Sequence, residues 1–524
     1  MPRVFVAATL GLLFATGAHA NAPRCQAIVK LAGPSFTIQA AEIVPAGTAV
    51  GRARVSLPAH CRVAGTLNPR RGAGGETFGI GFDLRMPDDW NGRFAFAGGG
   101  GLDGVLNPAL GDLAGSVDPP ALARGFAVVS TDGGHRGTSM LDARFGLDQQ
   151  ARVDYAFNAI DKVTLKAKEL IGHYYGRPPQ RSYFLGCSNG GRQGMLAAQR
   201  FPDYFDGIVA GAPVFNFSRI VANQIWNIQV LSRIAPRDAS GTPILSRAFT
   251  DADLELVSRS LLRACDAHDG LADGMINDYR ACKFDPQELQ CSGAKNDSCL
   301  SSAQVGALKD IFSGARNSRG ESLYGRYPFD TGIAQPVWRR MHLGTSETAK
   351  SDASDVVLGL ETLRYYLLTP PEPDFDPLKF DFDRDLARTR ATQAFGDADS
   401  TFLRTFAARG KLILYHGISD QGMAAGALTD WYDRLRSDTG GNPQDWARLF
   451  LVPGMTHCGG GRSTDRFDML AAITDWVENG KAPERISAGG AAFPGVTRPL
   501  CPYPKVARYV GDDANSEKSF SCRE

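Results

Sequence analysis

The sequence predicts an α/β fold, a doubly wound and mostly parallel sheet, with a large lid inserted into it. Short apolar segments alternate with segments of helical periodicity in the first third of the chain. The same alternation resumes after residue 400, whereas the stretch between the two regions lacks it. Strands of a parallel sheet are buried on both faces and are therefore apolar throughout. Their alternation with helices is typical of a parallel sheet that helices cover on both sides.

The predicted elements follow in chain order. Gly176 and Pro202 end two helices, because glycine commonly closes a helix and proline cannot continue one. The strands are predicted at 93–97, 126–130, 183–185, 208–210, 411–415 and 449–453, and the helices at 153–175, 191–201 and 466–478. The expected division is a first part of the core at 21–215, an irregular lid at 216–400 and a second part of the core at 401–524.

The first 20 residues have the features of a secretory signal peptide. Arg3 provides the positive charge, residues 4–15 are mostly apolar, and Ala18-His19-Ala20 fits the rule for cleavage after small residues. A membrane anchor is the alternative, but the apolar run is too short to span a bilayer. We therefore expect an exported protein, periplasmic or extracellular, whose mature chain begins at Asn21.

The charge balance argues against several classes of partner. The formal net charge is +1, and charged residues make up 22% of the chain. Neither value favours binding to nucleic acid or to an anionic membrane. We expect neither partner, and the composition leaves the oligomeric state open.

The ten cysteines predict five disulfides. An even number in an exported chain favours complete pairing, and without a C-x-x-C motif zinc or thioredoxin-like chemistry is disfavoured. Spacing alone does not determine connectivity, but neighbours along the chain suggest four pairs and leave a fifth. The resulting pairs are Cys25–Cys61, Cys265–Cys282, Cys291–Cys299, Cys501–Cys522 and Cys187–Cys458.

Ser188 is the candidate nucleophile. The motif Gly186-Cys187-Ser188-Asn189-Gly190 lies between a predicted strand and a predicted helix, which is the context of a nucleophile elbow. The glycines permit a tight turn that exposes the serine. A thiol nucleophile at Cys187 is the alternative, but Cys187 is not at the apex of the turn and is expected to be paired.

Asp420 and His457 are the candidate acid and base. In this fold class the order along the chain is nucleophile, acid, histidine, and each follows a strand. Asp420 follows the predicted strand 411–415, and His457 follows 449–453. A turn cap is the alternative role for Asp420. Of the other histidines, His416 is interpreted as structural, and His135 is placed in a glycine-rich loop near the site.

The oxyanion of a tetrahedral intermediate requires two N–H donors. One is expected from Asn189, directly after the nucleophile, and the other from the loop Gly98-Gly99-Gly100-Gly101. We favour Gly101 over Gly100 as the second donor. A plain flexible turn is the alternative interpretation of the four glycines.

Three carboxylates within eight residues mark a candidate calcium site. Asp266, Asp269 and Asp273 lie in a glycine-containing segment between Cys265 and Cys282. Carboxylate and carbonyl oxygens are the ligands that calcium prefers, although the spacing is not that of an EF-hand. We expect a structural calcium ion here, and a solvated acidic turn is the alternative.

Five motifs together indicate a known family. They are Trp90-Asn91-Gly92-Arg93, Thr131-Asp132-Gly133-Gly134-His135, Gly186-Cys187-Ser188-x-Gly190-Gly191-Arg192, Phe205-Asp206-Gly207-Ile208-Val209-Ala210-Gly211-Ala212-Pro213 and Val452-Pro453-Gly454-Met455-x-His457-Cys458. With these motifs the chain resembles the tannase and feruloyl esterase family of exported α/β-hydrolases over nearly all of its mature length. The resemblance implies that Cys187 pairs with Cys458. It also implies that the carbonyls of Leu271 and Met275 join the three aspartates around the calcium ion.

The residues and the resemblance together predict an exported serine carboxylesterase. The family cleaves esters of aromatic acids, so a feruloyl or other hydroxycinnamoyl ester, a galloyl ester or a terephthalate monoester is the expected substrate. A substrate carboxylate would need a cation in the lid, for which Arg339, Arg340 and Arg364 are candidates. The alternatives are a peptidase on the same fold and a catalytically inactive, calcium-dependent binding protein.

Overall fold

The structure is a computed structural model that describes residues 21–47, 55–113, 119–439 and 441–524. The predicted signal peptide lies outside the described residues. Among the described residues, no helix is both long and apolar enough to cross a membrane.

A nine-stranded sheet forms the centre of the molecule, with the strand order β1-β2-β3-β5-β4-β6-β7-β8-β9. Its strands are β1 (Phe36–Val44), β2 (His60–Arg71), β3 (Thr77–Pro87), β4 (Arg93–Ala97), β5 (Ala127–Thr131), β6 (Arg181–Cys187), β7 (Gly207–Gly211), β8 (Lys411–Gly417) and β9 (Ala447–Val452). Near the C-terminus, β10 (Ile486–Gly490) pairs with β11 (Phe493–Leu500), and β12 (Val506–Tyr509) pairs with β13 (Phe520–Arg523).

The predicted parallel sheet is confirmed. Strands β5, β4, β6, β7, β8 and β9 pair in parallel, and β7 is buried along its whole length. The sequence prediction missed β1, β2 and β3, which add an antiparallel edge to the sheet. These strands carry polar residues, such as Arg62 and Asp83, whose partners lie on neighbouring strands.

The strand order reverses beside β4. The chain places β5 on one side of β4 and β6 on the other. In open α/β sheets, ligands bind at the carboxyl ends of the strands where such a reversal occurs. The loops that follow β4 and β6 are the two loops in which the sequence predicts the oxyanion donors and the nucleophile.

Helices cover both faces of the sheet. They are α1 (Ala22–Ala27), α2 (Gln149–Val153), α3 (Ala159–Tyr175), α4 (Asn189–Arg200), α5 (Phe217–Ile234), α6 (Asp251–Cys265), α7 (Ser302–Ser313), α8 (Pro336–His342), α9 (Arg390–Gly396), α10 (Arg404–Ala407), α11 (Ala425–Thr439) and α12 (Met469–Asn479). A π-helical segment, Asp154–Asn158, joins α2 to α3, and two more occupy Asp355–Leu360 and Thr362–Leu367.

The chain between β7 and β8 adds no strand to the sheet. Our expectation that residues 216–400 are irregular was wrong in part, because they contain α5 to α9. In α5, Ile220, Ile228 and Leu231 lie on the buried face. Part of the insertion has its own hydrophobic cluster, which includes Leu261, Leu308 and Trp338, and the rest joins the main core.

Candidate active site

Ser188 lies at the apex of a sharp turn between β6 and α4. Its backbone angles are φ 63° and ψ −124°, a strained combination for a residue with a side chain. The strain is held by hydrogen bonds, because Ser188 N–H donates to Gly211 O at 2.9 Å and Ser188 O accepts from Val214 N–H at 3.2 Å. Gly190 must be glycine, since a Cβ there would lie 2.8 Å from Gly99 O. The structure therefore has the geometry of a nucleophile elbow.

Asp420 and His457 form a hydrogen-bonded pair. His457 Nδ1 lies 2.8 Å from Asp420 Oδ2, while Asp420 Oδ1 accepts the N–H groups of Gly422 at 2.9 Å and Met423 at 3.0 Å. Burial opposes ionisation of Asp420, but His457 outweighs it and the pKa of Asp420 is lowered. Desolvation likewise opposes protonation of His457, but the Asp420 carboxylate outweighs it and raises the pKa of His457. The pair leaves Nε2 of His457 available as a base.

A disulfide connects the two halves of the site. Cys187 and Cys458 are bonded, and their Cα atoms lie 6.0 Å apart. Because Ser188 and His457 are their immediate neighbours, the bond holds the elbow beside the loop that carries the histidine. The other four disulfides join the cysteines that the spacing suggested, and no described cysteine is free.

The loop after β4 lies against the elbow. Gly190 N–H donates to Gly99 O at 2.9 Å. Gly101 has φ +55°, and a Cβ there would lie 2.5 Å from Met140 O, so glycine is required. Its N–H has no acceptor among the described residues. Asn189 is the first residue of α4, and the N–H groups at a helix N-terminus have no intrahelical acceptor.

The insertion contacts the loop that carries Asp420, which the sequence did not reveal. Tyr327 Oη donates to Gly422 O at 3.0 Å, and Tyr324 Oη accepts from Ala424 N–H at 2.9 Å. Asp330 accepts a hydrogen bond from Ser419 Oγ. We call residues 417–424 the acid loop. Three side chains of the insertion thus form hydrogen bonds that stabilise the acid loop.

The two other histidines of interest lie in the interior. His416 is 1% exposed, and its Nε2 donates to Met423 O at 2.9 Å, as expected of a structural residue. His135 is also buried, and its ring stacks on Phe145 with centroids 3.8 Å apart. Burial lowers the pKa of His135 to about 4. Neither ring competes with His457 as the candidate base.

Two of the candidate lid arginines already have partners. Arg339 pairs with Asp251 at 2.6 Å and donates to two carbonyls, and Arg364 pairs with Glu361 at 2.9 Å and donates to Phe375 O. Arg340 is exposed and has no ion pair among the described residues. Arg340 is therefore the one of the three whose cation is uncommitted.

The acidic segment forms a compact loop. Asp266 accepts from Gly274 N–H at 2.9 Å, Asp269 accepts from Leu271 N–H at 3.0 Å, and Asp273 pairs with Arg498 at 2.5 Å. Burial, with smaller contributions from the other two aspartates, raises the pKa of Asp269 to about 6. In the described part of the chain, no three acidic, histidine or cysteine side chains converge as metal ligands.

The donor chemistry of this loop nevertheless fits calcium. The three carboxylates lie close enough to affect one another's pKa, and the carbonyl oxygen of Leu271 accepts no hydrogen bond among the described residues. All of these candidate ligands are oxygen atoms, which calcium prefers. The aspartates would have to exchange their present hydrogen bonds for the ion.

The chain is similar in sequence and in fold to several known proteins. The sequence profile of the family described as "Tannase and feruloyl esterase" matches residues 61–523. Mono(2-hydroxyethyl) terephthalate hydrolase of Piscinibacter sakaiensis is 43% identical over 515 residues, which cover 89% of this chain and 85% of that protein. The crystal structure of feruloyl esterase B from Aspergillus oryzae matches with a TM-score of 0.80 and 25% identity over 96% of this chain and 100% of that one. Tannin acyl hydrolase from Aspergillus niger shares the fold, with a TM-score of 0.71 and 21% identity over 96% of this chain and 95% of that one.

The fold and these likenesses define a carboxylic ester hydrolase. Its sheet and elbow are those of the α/β-hydrolase class. The chain belongs to the tannase and feruloyl esterase family.

Proposed function

We propose that this protein is an exported serine esterase that hydrolyses small aromatic-acid esters through an acyl-enzyme. Ser188 attacks the ester carbonyl, and His457 takes the serine proton and later gives it to the leaving alkoxide. Asp420 orients His457 and stabilises the imidazolium. The N–H groups of Gly101 and Asn189 donate to the oxyanion. In the second half of the reaction, His457 takes a proton from water, and the water attacks the acyl-enzyme. His457 then returns the proton to Ser188 as the acid is released.

One observation carries this proposal. Ser188 has a strained, positive-φ conformation, and the adjacent disulfide links its segment to that of His457. Nδ1 of His457 in turn contacts the buried Asp420. A purely structural role would not require the strain at Ser188.

The proposed substrates are esters of a feruloyl or related hydroxycinnamoyl acid, a galloyl acid or a terephthalate monoester. The names of the relatives support this class. We assign the choice among these acids to the insertion at 216–400. Arg340 is the proposed anchor if the substrate acid carries a second carboxylate.

We also propose that the acidic loop binds a structural calcium ion and that the protein is exported. Asp266, Asp269 and Asp273, with the carbonyls of Leu271 and Met275, would hold the ion. Five disulfides support an oxidising compartment. Mass spectrometry of secreted protein should give a mature chain that begins at Asn21, and an intact N-terminus would contradict export by cleavage.

Labelling and turnover together test the proposed chemistry. Wild-type protein should react with a fluorophosphonate probe and hydrolyse at least one member of a panel of ferulate, gallate, chlorogenate and terephthalate monoesters. Ser188→Ala should lose both properties. Ser182→Ala is the matched control and should keep both, because Ser182 is a buried serine in β6, the strand that leads to Ser188. Wild-type turnover in Ser188→Ala would refute the proposal, and peptide cleavage without ester cleavage would favour a peptidase.

A further inference from the structure

A buried carboxylate lies behind the two segments that carry the proposed oxyanion donors. We call residues 98–103 the glycine loop and residues 186–193 the elbow segment. Asp103 ends the glycine loop, is 2% exposed and has φ +46°. Its Oδ1 accepts from Asn189 Nδ2 at 2.7 Å, and its Oδ2 accepts from Gln193 Nε2 at 2.9 Å. One carboxylate therefore joins the glycine loop to the elbow segment twice.

The amide groups of these two side chains cannot be flipped to exchange their oxygen and NH₂ positions. Gln193 Oε1 accepts from Gly99 N–H at 3.0 Å, and a backbone N–H can only donate. Asn189 Oδ1 accepts from Arg192 Nε at 2.8 Å, and a guanidinium can only donate. The NH₂ groups of Gln193 and Asn189 must therefore both point at Asp103.

Position 103 consequently has to accept two hydrogen bonds on two separate atoms. A carboxylate does this, whereas an asparagine would present one oxygen and one NH₂ group. The NH₂ group would face a second donor in a buried site, which is costly. Tyr155 adds a third connection, because its Oη lies 2.9 Å from Gly101 O and 3.2 Å from Asn189 Oδ1.

We propose that Asp103 is a positioning residue that sets the spacing between the N–H groups of Gly101 and Asn189 and so shapes the oxyanion hole. Asp103 does not touch the substrate in this role. It acts through the glycine loop and the elbow segment, which it holds at one separation. The inference rests on the proposed function, because it assigns a purpose to spacing that matters only if an oxyanion forms.

Asp103→Asn tests the proposal. We expect kcat to fall about 10- to 100-fold, since the loss of a whole oxyanion donor costs about 100- to 1,000-fold and here the donors are displaced rather than removed. KM should change less than about twofold, because the ground-state ester makes little use of the oxyanion hole. A boronic acid that forms a tetrahedral adduct with the serine should bind more weakly by the same factor as kcat, while the affinity for the product acid should stay unchanged.

A reciprocal exchange distinguishes positioning from general damage. In the double variant D103N/N189D, the new NH₂ group at position 103 donates to the new carboxylate at position 189, which still accepts from Arg192. The bond between positions 103 and 189 is then restored in reversed direction, while the bonds from Gln193 to position 103 and from Arg192 to position 189 keep their direction. N189D alone places two carboxylates in contact and should lose at least as much kcat as D103N. The double variant should regain kcat to within about fivefold of wild type.

Asp132→Asn is the matched control. Asp132 is also buried, and its side chain accepts from Gly81 and Gly134 N–H groups but bonds to neither the glycine loop nor the elbow segment. Asp132→Asn should keep kcat within about twofold, because its oxygen can still accept. Unchanged kcat in D103N, or folded D103N/N189D that shows no recovery, would overturn the inference. Absence of esterase activity in the wild type would instead refute the proposed function, so the two failures are separable.

Discussion

Removing the disulfide between Cys187 and Cys458 should lower kcat even in protein that remains folded. The perturbation is the double variant C187S/C458S. The bond closes a loop with a sequence separation of 271 residues. Loop-closure entropy for a loop of that length corresponds to about 5.5 kcal/mol of the free energy of unfolding at 25 °C. The measured loss should be at or below this value, because the entropic model gives an upper figure for most disulfides.

The effect on catalysis has a separate cause. Without the bond, the histidine loop is tied to the elbow by weaker contacts, and His457 no longer has a set position relative to Ser188. A displacement of about 1 Å between reacting groups costs about 100-fold in rate. We therefore expect kcat to fall by about that factor in protein that is still folded. Mild reduction of the wild type should likewise abolish activity before circular dichroism shows unfolding.

A second disulfide supplies the control. Cys501–Cys522 has a sequence separation of 21 residues, for which the same relation gives about 3 kcal/mol. C501S/C522S should lower the free energy of unfolding but keep kcat. Urea titration measures the stability of each variant, and ester hydrolysis per active site, counted with a fluorophosphonate, measures kcat. Full kcat in folded C187S/C458S, or an equal loss of kcat in C501S/C522S, would refute the reasoning.

Three further predictions concern the acid, the calcium loop and the insertion. Asp420 raises the pKa of His457, so Asp420→Asn should move the acid limb of the kcat/KM profile to lower pH and reduce its plateau by about 10⁴-fold. Chelation of calcium should lower the free energy of unfolding by about 3 kcal/mol relative to protein at a calcium concentration 100 times Kd, and Asp269→Asn should remove this difference. Tyr327→Phe deletes the hydrogen bond to Gly422, worth about 1 kcal/mol, and should lower kcat about fivefold.

Each of these predictions can be contradicted by a specific result. An acid limb that stays in place in Asp420→Asn would show that another group controls the pH profile. A melting temperature that does not respond to chelation in the wild type would contradict the calcium proposal. Tyr432→Phe removes a similar hydrogen bond, from Oη to Ala447 O at 2.8 Å, outside the acid loop. An equal loss of kcat in Tyr432→Phe would mean that Tyr327 acts only through stability.

The parallel strands were predictable because each is apolar within its own short segment of sequence. Residues 207–211 are buried on both faces, so the segment is apolar in any window of sequence. Strand β3 was missed, because the charge on Asp83 is compensated by Arg62 on another strand at 2.6 Å and by Arg85 at 2.8 Å. A reading of one segment cannot reveal a partner that pairs across the sheet.

The same limit applies to the candidate site. Asp420 and His457 could be proposed because each follows a recognisable strand. Asp103 could not, since its partners Asn189 and Gln193 lie 86 and 90 residues away along the chain. Nothing around Asp103 in the sequence distinguishes it from an ordinary turn residue.

The contacts of Tyr324, Tyr327 and Asp330 with the acid loop constrain how this enzyme can be re-engineered or can diverge. Because the insertion contacts the loop that carries the proposed acid Asp420, it cannot be exchanged independently of the core. A chimera that receives the insertion of a relative should work only if the graft supplies equivalent hydroxyl and carboxylate groups at these three positions. Substrate range can therefore change readily through residues of the insertion that lie away from the acid loop, while the stretch from 324 to 330 has to change together with the core.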